Sequence, residues 1–142
     1  MPHQEDEAFT AWITGKSFMV VEDMTSSRML VAGLLRSLGA RSVQAATDGR
    51  DALAKLSHSE HAPDVIVCDW VMPGMDGLAL LDETKTRFPS AKFVMLTAKT
   101  EPSDIELARN HGVDGYIAKP FSREGLVMAL KRLQASISSA GP

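Results

Sequence analysis

Cysteine is nearly absent from this chain. Cys68 stands alone, so no internal disulfide can form and a disulfide-stapled scaffold is excluded. A basic excess is missing too. The 15 lysines and arginines face 18 acidic residues, a net charge of -3, without the electrostatic footprint that nucleic-acid binding demands. No apolar run approaches the roughly 18 residues of a membrane span. The start from Met1 to Glu7 is polar and acidic, lacking the basic flank and apolar core of a secretion signal. There is no internal repeat and no low-complexity tract. His3, His58, His61 and His111 have no spacing that reads as a metal site. The remaining expectation is a cytoplasmic protein that neither crosses a membrane nor binds nucleic acid.

What is present suits one globular domain. The chain has 142 residues, 44 % of them hydrophobic and 23 % charged, enough for a buried core. Short apolar runs at Phe18–Val21, Val65–Cys68, Phe93–Leu96 and Tyr116–Ala118 do not alternate apolar with polar. Strands of that kind are covered on both faces, as in a parallel sheet between helices. A weaker strand over Ser42–Ala46 has Val43 and Ala45 on one side, which fits an edge. Helix signals fall between the runs. Thr25 or Ser26 is expected to cap a helix reaching about Leu38, with Gly39 closing it. Asp48 and Asp76 suit the caps of the next two. Pro102 suits a first turn and Gly112 an end. Ser122 suits the cap of a last helix, with Phe121 and Leu126 spaced as a hydrophobic staple.

Five strands alternating with five helices imply a parallel sheet with right-handed crossovers. Ligands in such sheets bind at the carboxyl ends of the strands. Glu22 and Asp23 follow the first strand, Asp69 the third, Thr97 the fourth, and Lys119 and Pro120 the fifth. Three carboxylates, a hydroxyl and an ammonium therefore converge on one edge. Crowded carboxylates favour a proton or a cation, and an all-oxygen set suits Mg²⁺ together with phosphate oxygens. Lys119 would neutralise a phosphoryl group, Thr97 would donate to it, and a carboxylate can be the nucleophile. Taken singly, each acid reads as a helix cap, Lys119 as a surface charge and Thr97 as a turn hydroxyl. The inference rests on all of them sharing one edge.

The pieces Met19-Val20-Val21-Glu22-Asp23, Asp69-Trp70-Val71-Met72-Pro73-Gly74-Met75-Asp76-Gly77, Leu96-Thr97-Ala98-Lys99, Gly112-Val113-Asp114-Gly115-Tyr116 and Lys119-Pro120-Phe121 occur in that order. In this the chain resembles the receiver domain of bacterial response regulators, in the pattern of single-domain chemotaxis regulators, from about Lys16 to Leu133. The resemblance implies a flavodoxin-like α/β fold with strand order 2-1-3-4-5. It implies Asp69 as phosphoacceptor in a two-component phosphorelay. Glu22, Asp23, Asp69 and the backbone carbonyl of Val71 would hold Mg²⁺, with Glu22 acting through water. Thr97 and Tyr116 would form the switch pair, Lys119 would contact phosphate, and the Lys119–Pro120 bond would be cis. A histidine kinase or histidine phosphotransfer protein would be the donor. A protein target would bind the face made by the helix from Pro102, the fifth strand and the last helix. The protein would be a monomer or weak dimer, and no enzyme toward outside substrates.

Residues 16–136 are expected to form the receiver domain, 137–142 a flexible tail and 1–15 an extension. Phe9, Trp12 and Ile13 have helical spacing, though a disordered arm is the favoured expectation there. Val71 stands where aspartyl-phosphate phosphatases of the haloacid dehalogenase type carry a second aspartate, which argues against turnover. Val71 and Lys99 flank the path of a hydrolytic water in the family, and Val71 cannot hydrogen-bond one, so slow self-dephosphorylation is expected. Lys99 is read as facing either the phosphoryl group or solvent. Trp70 is expected to be partly exposed, and Cys68 to be an inert apolar residue. Met29, Met72 and Met75 are read mainly as core or ordinary surface. The alternative function is a receiver-like docking module that is never phosphorylated.

Overall fold

The computed structural model describes residues 4–139. Its elements in chain order are α1 (Gln4–Thr14), β1 (Ser17–Val21), α2 (Thr25–Ser37), β2 (Ser42–Ala46), α3 (Gly49–Ser57), β3 (Val65–Asp69), α4 (Gly77–Arg87), β4 (Lys92–Thr97), α5 (Pro102–Asn110), β5 (Gly115–Ala118) and α6 (Arg123–Ser139). All neighbouring strands pair in parallel, in the order β2-β1-β3-β4-β5. The expected α/β architecture and strand order are both present.

The alternation of strand side chains divides the core in two. Phe18, Val20, Val65, Val67, Val94 and Leu96 face one side with α1, α2 and α6. Met19, Val21, Ile66, Cys68, Phe93 and Met95 face the other with α3, α4 and α5. Every residue of β3 is buried, as a central strand covered on both faces requires. The edge strand β2 buries only Ala46 fully.

Helix ends follow local chemistry. Asp48 accepts from the Asp51 amide at 2.8 Å, Asp76 from that of Ala79 at 2.9 Å, and Ser122 from that of Gly125 at 3.0 Å. Gly39 and Gly112, at φ 100° and 95°, close α2 and α5 with paired amide bonds back to the last turn, a conformation that favours glycine. The cap expected from Thr25 or Ser26 is not made. Met24 is the cap residue and supplies no side-chain bond. The Thr25 hydroxyl instead accepts from Arg28, whose guanidinium also holds the Glu22 carbonyl at 2.8 Å.

The favoured reading of the first fifteen residues as an arm is corrected. Residues from Gln4 form α1, with Phe9 and Ile13 buried among α2 and α6. Asp6 pairs with Lys131 at 2.7 Å. The spacing of Phe9, Trp12 and Ile13 puts one apolar face on the domain, and that burial outweighs the entropy of an arm. At the other end α6 continues through Ser139, so the first three residues of the expected tail are helical; 140–142 lie outside the described residues.

Candidate functional site

Register places the functional side chains. Val21 pairs with Cys68, Asp69 with Leu96, and Thr97 with Ala118. The strands thus stop level with one another, and Glu22, Asp69, Thr97 and Lys119 leave the sheet on one edge. One carboxylate oxygen from each of Glu22, Asp23 and Asp69 lies within 4.8 Å of the others. Glu22 and Asp69 are buried and Asp23 is exposed. Lys119 Nζ donates to Asp69 Oδ2 at 3.0 Å and to Glu22 Oε2 at 3.4 Å. The Lys119–Pro120 peptide is cis.

The cluster is electrostatically strained without a cation. Burial, then the hydrogen bond and charge of Asp69, push the Glu22 carboxyl up to about 7, against the smaller pull of Lys119. One lysine does not neutralise three acids. Burial opposes the charged form of Lys119, yet its bonds and attraction to Asp69 and Glu22 hold it above its ordinary value. This donor set, all oxygen and anionic with one open, exposed member, fits a hard divalent cation such as Mg²⁺. Cys68 is buried and contributes no thiolate: burial, then the charges of Asp69, Glu22 and Asp76, raise it well above the thiol range.

The Val71 side chain is exposed, and its amide donates to Asp69 Oδ1 at 3.4 Å. Thr97 is buried, and its hydroxyl accepts the Lys99 amide at 3.2 Å. The Tyr116 hydroxyl donates to the Lys99 carbonyl. Burial, with a smaller push from the Asp104 charge, raises Tyr116 to about 12, so it remains a donor at neutral pH. One expectation changes. Trp70 is only 5 % exposed, not a partly open aromatic, because its ring joins the core beneath α4. Lys99 keeps 40 % of its side chain open to solvent, while its ammonium sits 5.1 Å from the Trp70 ring centroid and 3.8 Å from Asp104 Oδ1.

Sequence reasoning missed Arg28, which holds the backbone of the acidic pair, and Gly77. A Cβ on Gly77 would lie 2.4 Å from the Asp69 carbonyl oxygen and 2.7 Å from Trp70 Cα. Only glycine lets α4 begin so close to the acceptor's backbone. The signal was the Asp76-Gly77 pair, readable as a cap and tight approach.

A doubly wound parallel sheet with a carboxylate cluster and a lysine at its carboxyl edge defines a class of α/β domains that bind their ligands at that edge. The comparisons narrow that class. The family model of the response regulator receiver domain matches residues 18–131. Chemotaxis protein CheY-3 of Vibrio cholerae is 38 % identical over 120 residues, covering 81 % of this chain and 88 % of that protein. Chemotaxis protein CheY of Pseudomonas aeruginosa is 35 % identical over 117 residues, covering 81 % and 93 %. The solved structure of the chemotaxis response regulator CheY4 of Vibrio cholerae matches with a TM-score of 0.76 at 31 % identity, covering 84 % of this chain and 98 % of that one. The chain belongs to the response regulator receiver domain family and is CheY-like within it.

Proposed function

We propose that this receiver accepts a phosphoryl group on Asp69 and passes the signal to a protein partner through a conformational switch. The observation that carries the reading is the meeting of Glu22, Asp23 and Asp69 within 4.8 Å, with Lys119 on Asp69 at 3.0 Å. An Asp69 carboxylate oxygen attacks phosphorus. The bond from phosphorus to the donor's imidazole nitrogen breaks, its electron pair stays on that nitrogen, and an aspartyl phosphate remains. The donor is a histidine kinase or a histidine phosphotransfer protein.

Glu22, Asp23, Asp69 and the Val71 carbonyl would hold Mg²⁺, which when bound supplies positive charge to the transferring oxygens. The chain's own residues do the remaining work. Lys119 moves its ammonium from the Asp69 carboxylate to phosphoryl oxygens. Thr97, already accepting from the Lys99 amide, keeps its own proton to donate. Tyr116 follows as the second member of the switch, and the α5–β5–α6 face changes its affinity for the target. The activity extends only to the protein's own phosphorylation and dephosphorylation.

Incubation with acetyl phosphate and Mg²⁺ tests this by intact mass. Wild type should gain one phosphoryl group. Asp69→Asn, or chelation of the metal, should leave the mass unchanged, and Lys119→Met should keep the adduct but weaken the switch. Phosphorylation of Asp69→Asn at the wild-type level would refute the acceptor assignment, and a wild type that gains no phosphoryl group would favour a docking module.

A further inference from the structure

Lys99 is engaged at three points at once. Its amide is held by the Thr97 hydroxyl at 3.2 Å, its carbonyl by the Tyr116 hydroxyl, and its ammonium by the Trp70 ring at 5.1 Å and by Asp104 at 3.8 Å. Of the two side-chain partners, Trp70 directly follows β3 and Asp104 belongs to α5. Trp70 is fixed, since it is 5 % exposed and its carbonyl accepts from the Gly77 amide at 2.8 Å. Asp104 sits in the first turn of α5, close enough for its charge to be felt at Tyr116. The Lys99 side chain therefore links the end of β3 to the start of α5, and its own amide and carbonyl are the groups that Thr97 and Tyr116 use.

We infer that Trp70 and Asp104 clamp the Lys99 side chain and thereby hold the loop after β4 in the arrangement that docks Tyr116 before any phosphoryl group arrives. Lys99 is a positioning residue: its ammonium touches neither Asp69 nor an incoming group and acts through its own backbone. A cation over an indole face is the stronger form of such a contact. Here it is reinforced by a carboxylate, so the clamp has two independent holds. With the amide fixed, the Thr97 lone pair is occupied and its proton stays available. With the carbonyl fixed, Tyr116 has an acceptor in place. The consequence is a receiver in which the clamp biases Tyr116 toward the docked state at rest, and phosphorylation completes the shift of that population. In a variant without the clamp, docking would depend on phosphorylation.

The inference rests on reading Thr97 and Tyr116 as the moving pair, but its test requires no phosphoryl transfer. Tyr116 is the one tyrosine of the chain, so 3-fluorotyrosine labelling of the full-length protein gives a single ¹⁹F resonance. The shift of the urea-unfolded protein serves as the reference for a solvated ring. Lys99→Met keeps the alkyl stem and removes the charge; Lys99→Arg keeps a cation that stacks on indole. The expected result is that Lys99→Met moves the resonance toward the solvated reference, Asp104→Asn moves it part of the way, and Lys99→Arg leaves it at the wild-type position. Unchanged thermal unfolding of Lys99→Met would show that the shift reports the loop, not the fold. A wild-type resonance in both Lys99→Met and Asp104→Asn would overturn the clamp. A shift in Asp69→Asn as large as that in Lys99→Met would overturn it as well, by making the acceptor carboxylate the controlling group. Loss of phosphorylation alone bears only on the acceptor assignment.

Discussion

Glu22 shows how the site's chemistry reaches stability. Its carboxyl is raised from 4.5 to about 7 by burial and by Asp69. The folded state therefore holds the proton more tightly than the unfolded state, and the contribution to stability is fully present below pH 4.5. It is lost as the pH climbs to about 7. In magnesium-free buffer, the melting temperature of wild type minus that of Glu22→Gln should fall across this window, read by thermal denaturation at each pH. Added Mg²⁺ should reverse the trend at neutral pH by binding the folded state alone. A second prediction concerns Val71 and Lys99, whose side chains leave the approach to Asp69 without a group to orient water. Changing Val71→Asn together with Lys99→Glu should shorten the phosphoryl lifetime in a decay assay. The motif pieces made these positions legible. The placement of Lys99 over Trp70 was not, because it depends on Trp70 turning inward, and nothing in a single tryptophan says which way its ring lies.

Among the elements, α4 illustrates propensity losing to contact. Glycine in a helix is ordinarily disfavoured by about 1 kcal/mol against alanine, so Gly77→Ala would stabilise an isolated helix. Here the added methyl would meet backbone of Asp69 and Trp70 at 2.4 and 2.7 Å, where nothing flexible can yield. Gly77→Ala should lower stability and slow phosphorylation of Asp69, seen together in thermal melts and acetyl phosphate labelling. At α1 the balance is hydrophobic. Ile13 is wholly buried, and Ile13→Ala should reduce stability by about 2–5 kcal/mol in denaturant titration. The helical spacing of Phe9, Trp12 and Ile13 was visible in the sequence. Their docking was not, because the acceptor surface on α2 and α6 is assembled from distant segments. Strands β1, β3, β4 and β5 were readable because continuous Val, Ile and Phe runs have few other uses. The α2 cap misled because two hydroxyl residues stand at the start of the helix, while Arg28 is what occupies Thr25.

For the whole molecule, the parallel order β2-β1-β3-β4-β5 turns five scattered sequence positions into one site. The fold and the acidic edge were legible together, since alternation fixes that every strand ends on the same side. The two-sided core supports that edge rigidly: residues facing α2 and α6 and residues facing α3, α4 and α5 alternate along each central strand. Among the described residues, no helix is long and apolar enough to cross a membrane. On the proposed reading, the partner binds the face formed by α5, β5 and α6, where Leu107 and Met128 are exposed. The most direct test is a crystal structure with Mg²⁺ and beryllofluoride, a phosphoryl mimic. The account predicts one cation ligated by Asp23, Asp69 and the Val71 carbonyl, the mimic bonded to Asp69, and Lys119 and Thr97 turned onto its fluorines. A cation bound away from these carboxylates, or a mimic seated on any other residue, would contradict it.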